Sequence, residues 1–583
     1  MKNYSFIKQS FQKMYFCVYW QIIMNHFAIY YLSFFLNSLF IFCQYEKDLI
    51  APLEIPFSLS GTFGEPRATH FHLGVDIKTQ GKEGWEVKSI SSGSVSRIRI
   101  SLGGYGKAIY VDHPDQTTSV YAHLQKFAPK IESYIKKLQY KNESYTIQKF
   151  PKKDELLIEK GELIGFSGNT GGSSGPHLHF EIREKKSQKP LNPLLYDLPV
   201  HDEQRPQLQK LFIFYPNKNQ ILPHIEPISL NKTNDSIYKT GKIETSGKIG
   251  LGIQMFDRQD FSYSMNGVYS TKVIVNGKII SHYEFDQLII NESKNLFRVL
   301  DYKNYVQKRL KIFKLFYTED IKLNFMNSLV EHGIFEIEFG KSYHILIEVE
   351  DFSGNKSIIE TYIEGTNNTI KQIELRGKLI KPDEDYLYSS KNKEVYFPTN
   401  TFFDTVKIEI AENGNDIEIG PNFFPIANPY EIKFSLNEKD SLKRIQTFIA
   451  KKINKSLIYL PTQLNKNSLI AKVNELGTFT FVRDSLAPTV VPNNFKAEQW
   501  LSKYKFLRLK INDDFSGIKK YRGSINGEWV LFEYEPKDKM LTYDLSDKNF
   551  ENVKHKLKIE VEDNVGNKKI YQTTFFRKYD LKD

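Results

Sequence analysis

Short runs in which apolar and polar residues alternate recur along most of this chain. SVSRIRI (94–100), KAIYVDH (107–113), TTSVYAHL (117–124) and LHFEIR (178–183) show a period near two, which sends successive side chains to opposite faces of a strand. Glycines punctuate these runs at 61, 64, 74, 93, 103, 104, 106, 161, 165, 168, 171 and 172, as expected for antiparallel strands joined by tight turns. The stretch 128–157 breaks the pattern. Its Lys-rich segment IESYIKKLQYKNESY (131–145) reads as a helix inserted between strands.

After about Val200 the texture changes. Asn-Gly pairs at 276–277, 413–414 and 526–527 separate strand-like runs, a hairpin signal. IEVEDFSGNK (347–356) is repeated as IEVEDNVGNK (559–568), and FDRQDFS (256–262) and INDDFSG (511–517) precede the two copies. Asp202-Glu-Gln-Arg-Pro206 and Asp484-Ser-Leu-Ala-Pro488 resemble each other as linkers into a new module. These marks divide the region into two or three β-sandwich, Ig-like modules, at about 200–365 (with an insertion near 285–335), 366–485 and 486–583. Each acidic turn offers one Asp and one Asn, thin for Ca²⁺ and sufficient for a capped hairpin turn. The fold class expected is all-β.

The first 45 residues are different. Lys2, Lys8 and Lys13 precede a span, 14–45, without Lys, Arg, Asp or Glu, and Glu46 ends it. A basic start and an apolar run predict an N-terminal apolar helix serving as a secretory signal (1–43) or an uncleaved single-pass anchor, hence export to the periplasm or cell envelope.

Composition narrows the class. Among 583 residues, 40% are apolar and 26% charged, enough to build cores. The 34 Tyr and 43 Phe favour strands. The net charge of +11 comes from scattered Lys rather than a basic block, so nucleic acid is not an expected partner. The two cysteines, Cys17 and Cys43, both lie in the N-terminal run. The rest of the chain has neither disulfides nor thiolate ligands, and any metal site must use His, Asp and Glu.

Six of the 13 His fall between Gly61 and Arg183: His70, His72, His113, His123, His177 and His179. His72-Leu-Gly-Val-Asp76 places an imidazole and a carboxylate around a glycine turn. His177-Leu-His179 puts two imidazoles on one strand face. Catalytic zinc commonly takes three N/O donors and keeps one position open. His72, Asp76 and one His of the pair supply three, leaving the other and His123 as acid/base groups. His70 and His113 read as structural or rim residues.

HFHLGVDIKT (70–79), YAHL (121–124) and GNTGGSSGPHLHFEIR (168–183), with GTFGEPR (61–67) and EKGELIGFSGNTG (159–171), resemble the signature blocks of the lysostaphin/LytM-type zinc metallopeptidases, family M23. The resemblance covers about 51–198. It implies a compact antiparallel β domain with a groove, Zn²⁺ as cofactor, and hydrolysis of peptide bonds in bacterial peptidoglycan. By position it makes His72, Asp76 and His179 the zinc ligands, and His123 and His177 the catalytic residues beside the water. The insertion at 128–157 departs from the family pattern and bears on groove shape. The C-terminal modules are expected to bind wall or envelope proteins. Two alternatives stand beside this reading: a non-enzymatic envelope protein that binds the wall or activates another hydrolase, and a zinc peptidase acting on a Gly-rich protein.

Overall fold

A computed structural model describes residues 49–578 apart from 68, 217–221, 261, 318–322, 368–374 and 438–439. The charge-free N-terminal run, with both cysteines, lies outside the described residues. Among those described, no helix is long and apolar enough to cross a membrane. Residues from Ala51 onward form one unit. The protein is mostly β, 48% strand and 8% helix.

The histidine-rich segment contains, in chain order, β1 (Leu59–Gly61), β2 (Val75–Lys78), β3 (Glu86–Lys88), β4 (Gly93–Ile100), β5 (Lys107–Asp112), β6 (Thr117–Ala122), β7 (Lys126–Phe127), α1 (Pro129–Asn142), β8 (Ile147–Lys149), β9 (Leu157–Ile158), β10 (Leu163–Phe166) and β11 (His177–Glu184). The main sheet runs β1-β2-β11-β6-β5-β4-β8, and β3-β10-β7 form a small second sheet. The alternating runs lie on strands as their period requires. Along β4 a bulge between Val95 and Arg97 resets the phase, so Val95, Ile98 and Ile100 all reach the core.

The insertion is α1 and the short strand β8 after it, which pairs antiparallel with β4, as β9 does further along. Pro sits in the first turn of α1, where its missing N–H costs nothing. Ile131, Ile135 and Gln139 recur every four residues on its buried face.

Beyond residue 200, pairs of sheets share cores. The strands from Gln207 to Gly365 form a five- and an eight-stranded sheet, packed through Leu211, Ile253, Val273, Ile347 and Ile359. The strands from Lys378 to Arg483 form a six- and a five-stranded sheet around Val395, Ile432, Ile449 and Phe479. Those from Thr489 to Phe576 form two four-stranded sheets around Leu509, Ile525, Leu541 and Ile559. Asn276-Gly277 and Asn526-Gly527 both adopt positive φ, as type I′ hairpin turns need. At the third site the loop is shifted by one: Asn413 pairs with Asp416 and remains in its strand.

The first and last of these regions both reach back to the histidine-rich segment. Phe63 and Phe71 enter the core of the first sheet pair, where Phe71 meets Phe325 edge-on at 5.3 Å. Thr62 Oγ1 donates to Gly267 O and accepts from Gly267 N. The last sheet pair grips the insertion. Lys136 pairs with Asp547 at 2.7 Å, Arg522 with Glu143 at 2.6 Å, and Tyr140 packs edge-on against Trp529.

Candidate metal centre

Sheet register assembles the site. His179 on β11 lies opposite Asp76 on β2 and opposite Ala122 on β6, whose next residue is His123. Three neighbouring strands therefore bring their polar residues to one point. His123 itself sits at φ 59°, just past the end of β6, an uncommon conformation that turns the chain at the site. His72 precedes β2, and the chain bends between them at Gly74. A Cβ there would lie 2.3 Å from Phe180 O, so only glycine lets the two strands approach.

His72 Nε2, Asp76 Oδ1 and His179 Nδ1 form a triangle with sides of 3.0, 2.9 and 3.1 Å. All three residues are buried. The other nitrogen of each ring fixes its tautomer. His72 Nδ1 lies 2.8 Å from Thr62 O, which can only accept, so Nδ1 carries the proton and Nε2 a lone pair. His179 Nε2 lies 2.8 Å from Glu181 Oε1 and donates to it. The sides of the triangle match the edges of a tetrahedron with bonds of about 2.0 Å, about 3.3 Å, as zinc takes from His and carboxylate donors. Three such donor atoms converge only around a shared proton or a cation. The donor set fits zinc on geometry and chemistry.

The electrostatics point the same way. Burial opposes charge on His179, yet Asp76 and Glu181 outweigh it and raise its pKa to about 9. Burial alone would raise Asp76, but His72 and bonds from His177, His179 and His72 hold its carboxyl well below the usual range. The centre draws in positive charge.

His177 and His123 stand beside the triangle. His177 Nδ1 donates to Gly175 O at 2.8 Å, and His123 Nδ1 donates to Thr170 O at 2.8 Å. Each therefore keeps Nε2 as a lone pair. Their rings are 4.8 Å apart, and His177 Nε2 is 3.4 Å from Asp76 Oδ1. Burial, then His179 and His177, depress His123 to about 3. His70 is exposed. His113 is buried and bonded to Ser92 O and Ser119 Oγ, away from the triangle.

Supporting residues not singled out from the sequence complete the site. Arg67 Nη2 binds Asp76 Oδ2 at 2.7 Å, leaving Oδ1 free for the triangle. Arg183 Nε binds Glu181 Oε2 at 2.6 Å. The Tyr105 ring stacks on His179, and its hydroxyl donates to Glu181. Glu181 and Arg183 were within reach of the strand argument: with period two, they share the face of His177 and His179. Lys537 Nζ donates to Asn169 O and to Ser173 O, so the last sheet pair touches the loop whose Thr170 and Gly175 carbonyls orient His123 and His177. Lys107, buried, pairs with Glu533 at 2.8 Å on the same rim.

Residues 70–140 and 139–193 match the model of Peptidase family M23. This segment belongs to that family. Among curated M23-like relatives, the DD-carboxypeptidase/endopeptidase Mpg of Neisseria meningitidis is 30% identical over 129 residues, 22% of this chain and 23% of that one. The murein hydrolase activator NlpD of Salmonella typhimurium is 31% identical over 123 residues, 21% of this chain and 25% of that one. The chain thus spans about a quarter of the length of these relatives. The catalytic domain of lysostaphin from Staphylococcus simulans is 26% identical, with 24% of this chain and 91% of that chain covered and a TM-score of 0.18.

Proposed function

We propose that residues 51–198 form a zinc metalloendopeptidase that hydrolyses peptide bonds of bacterial peptidoglycan. The observation that carries this reading is the triangle of His72 Nε2, Asp76 Oδ1 and His179 Nδ1, with the opposite nitrogen of each ring committed to an acceptor. His72, Asp76 and His179 would hold the ion. When bound, zinc supplies a Lewis acid that activates a water and polarises a carbonyl.

The protein's own groups do the rest. His123 and His177 are tied at Nδ1, so Nε2 is the atom available for proton transfer. A neutral imidazole at either position accepts a proton from the attacking water and returns it to the departing amine. A protonated one donates to the oxygen where negative charge develops. Glu181 and Thr62 keep the ligand rings from rotating, and Arg67 keeps Asp76 on a single oxygen.

The relatives named Mpg and NlpD motivate the substrate and the compartment. The chain acts in the envelope, carried there by the apolar segment within 14–45. The regions 200–365, 366–485 and 486–583 act as modules that position the peptidase on wall or envelope proteins. A non-catalytic activator is the competing reading, motivated by the name of NlpD. It is disfavoured because both the metal triangle and the two flanking imidazoles are intact.

The test is digestion of purified peptidoglycan by the full chain, with mass analysis of the fragments, alongside His72→Ala. Cleaved stem or cross-link peptides, lost in the variant, are expected. Intact peptidoglycan in the presence of stoichiometric zinc would sink the proposal.

A further inference from the structure

The acidic turn at Asp351, read from sequence as a capped hairpin, has company. Asp202, from the linker after the peptidase segment, and Asp257, from the end of the strand Gly247–Phe256, bring carboxylate oxygens within 4.8 Å of one from Asp351. Asp257 and Asp351 are 3% and 2% exposed. Among the described residues, no basic side chain pairs with any of the three.

Hydrogen bonds account for only part of this charge. Asp351 accepts from Asn355 N and Nδ2, each at 2.9 Å, and Asp202 Oδ1 accepts from Gln204 N at 3.0 Å. Asp257 Oδ1 is buried with no partner. A lone buried carboxylate oxygen is costly, and mutual repulsion adds to the cost. Burial, then the neighbouring carboxylates, push Asp257 up to about 8. A small cavity is lined by Asp202 and Asp257 together with Thr62, Asn192, Gln259 and Ser353.

The repeat supplies an internal control. Asp484, Asp513 and Asp563 form the equivalent cluster in the last sheet pair. Asn567 Nδ2 bridges Asp563 Oδ2 and Asp484 O just as Asn355 Nδ2 bridges Asp351 Oδ2 and Asp202 O. There, however, backbone donors fill the centre: Gly517 N binds Asp513 Oδ1 at 2.7 Å, and Ser516 N binds Asp484 Oδ2 at 3.2 Å. The same scaffold has its oxygens bonded by amides in one copy and is left with an unsatisfied oxygen in the other.

We propose that Asp202, Asp257 and Asp351 bind one calcium ion at the junction of the peptidase segment and the first sheet pair. The donors are all oxygen, the preference of a hard cation, and bonds of about 2.3–2.6 Å span the spacing. Carboxylates binding through both oxygens, with water arriving on the side of half-buried Asp202, would complete the coordination. The ion fastens the linker at Asp202 to the strand end at Asp257, next to Thr62, whose carbonyl orients His72. This site is independent of the zinc centre and of the reaction assigned to it.

The experiment is calcium titration of the full, zinc-loaded chain by calorimetry, with thermal unfolding in chelator and in millimolar calcium. One bound ion and a higher unfolding temperature are expected. Asp257→Asn should weaken calcium binding about tenfold or more while zinc content stays unchanged. Asp202→Asn, at a half-buried position, provides a second variant less prone to misfold and should behave alike. Asp513→Asn should keep the calcium response. Absence of calcium binding by the native chain would overturn the site, as would an unchanged response in both Asp257→Asn and Asp202→Asn. An equal response to magnesium would overturn the choice of calcium.

Discussion

Glu181 Oε1 lies 2.8 Å from His179 Nε2, two residues along the same strand. Burial would raise the Glu181 carboxyl, but Arg183 and His179 hold it down to about 2, so it stays charged. It thereby keeps the proton of His179 on Nε2 and points Nδ1 at Asp76. Glu181→Gln should weaken zinc binding about 10–100-fold, the usual effect of losing such a partner. Competition against a chromogenic chelator measures it, and unchanged affinity would remove this role from Glu181.

Ligands and acid/base groups should separate on the same preparations. His72→Ala and His179→Ala should lose zinc and activity, with the sheets beyond residue 200 still folded on their own cores. His123→Ala and His177→Ala should keep zinc while turnover falls about 10²–10⁴-fold. Zinc lost from His177→Ala and kept by His179→Ala would reverse the assignment within the pair.

Gly74 is a packing requirement. A methyl at this position meets Phe180 O at 2.3 Å and Glu181 Cγ at 2.7 Å. Gly74→Ala should cost about 1–3 kcal/mol, the range for forcing an atom into a packed interior, and should also disturb zinc affinity through Glu181. Chemical denaturation checks the first effect, and a midpoint equal to that of the native chain would contradict it.

The grip of the last sheet pair can be loosened without touching the metal. Glu533→Ala and Lys537→Ala remove its contacts to Lys107 and to the carbonyls of Asn169 and Ser173. Limited proteolysis within 484–488 should accelerate, and KM for wall fragments should change, while zinc content holds. A cleavage rate equal to that of the native chain would mean these contacts do not fasten the module.

The sequence carried local structure and the metal motif but not long-range contact. Period two marked the strands that carry Val120 and Phe180, and helical texture marked α1, because each depends on neighbours a few residues apart. The spacing of His72, Asp76, His177 and His179 expressed their geometry, since strand register and one glycine turn determine it. Arg67 lies in the GTFGEPR block, but its bond to Asp76 was not legible, because that partner is reached only after the chain folds back. Asp351 was read as a turn cap for the same reason: its local bonds to Asn355 are real, but Asp202 and Asp257 arrive from 149 and 94 positions away. The docking of Glu533 on Lys107 joins residues 426 apart and left no trace in any local pattern.

That last separation has a consequence in time. A ribosome makes Lys107 long before Glu533. The segment that holds the metal triangle is made while the last sheet pair that packs beside it is still unmade. The loop carrying Thr170, Ser173 and Gly175 receives Lys537 only when nearly all of the chain has emerged. The contacts on the loop that orients His123 and His177 are therefore completed by the latest-born part of the molecule, and a fragment cut off early would lack them.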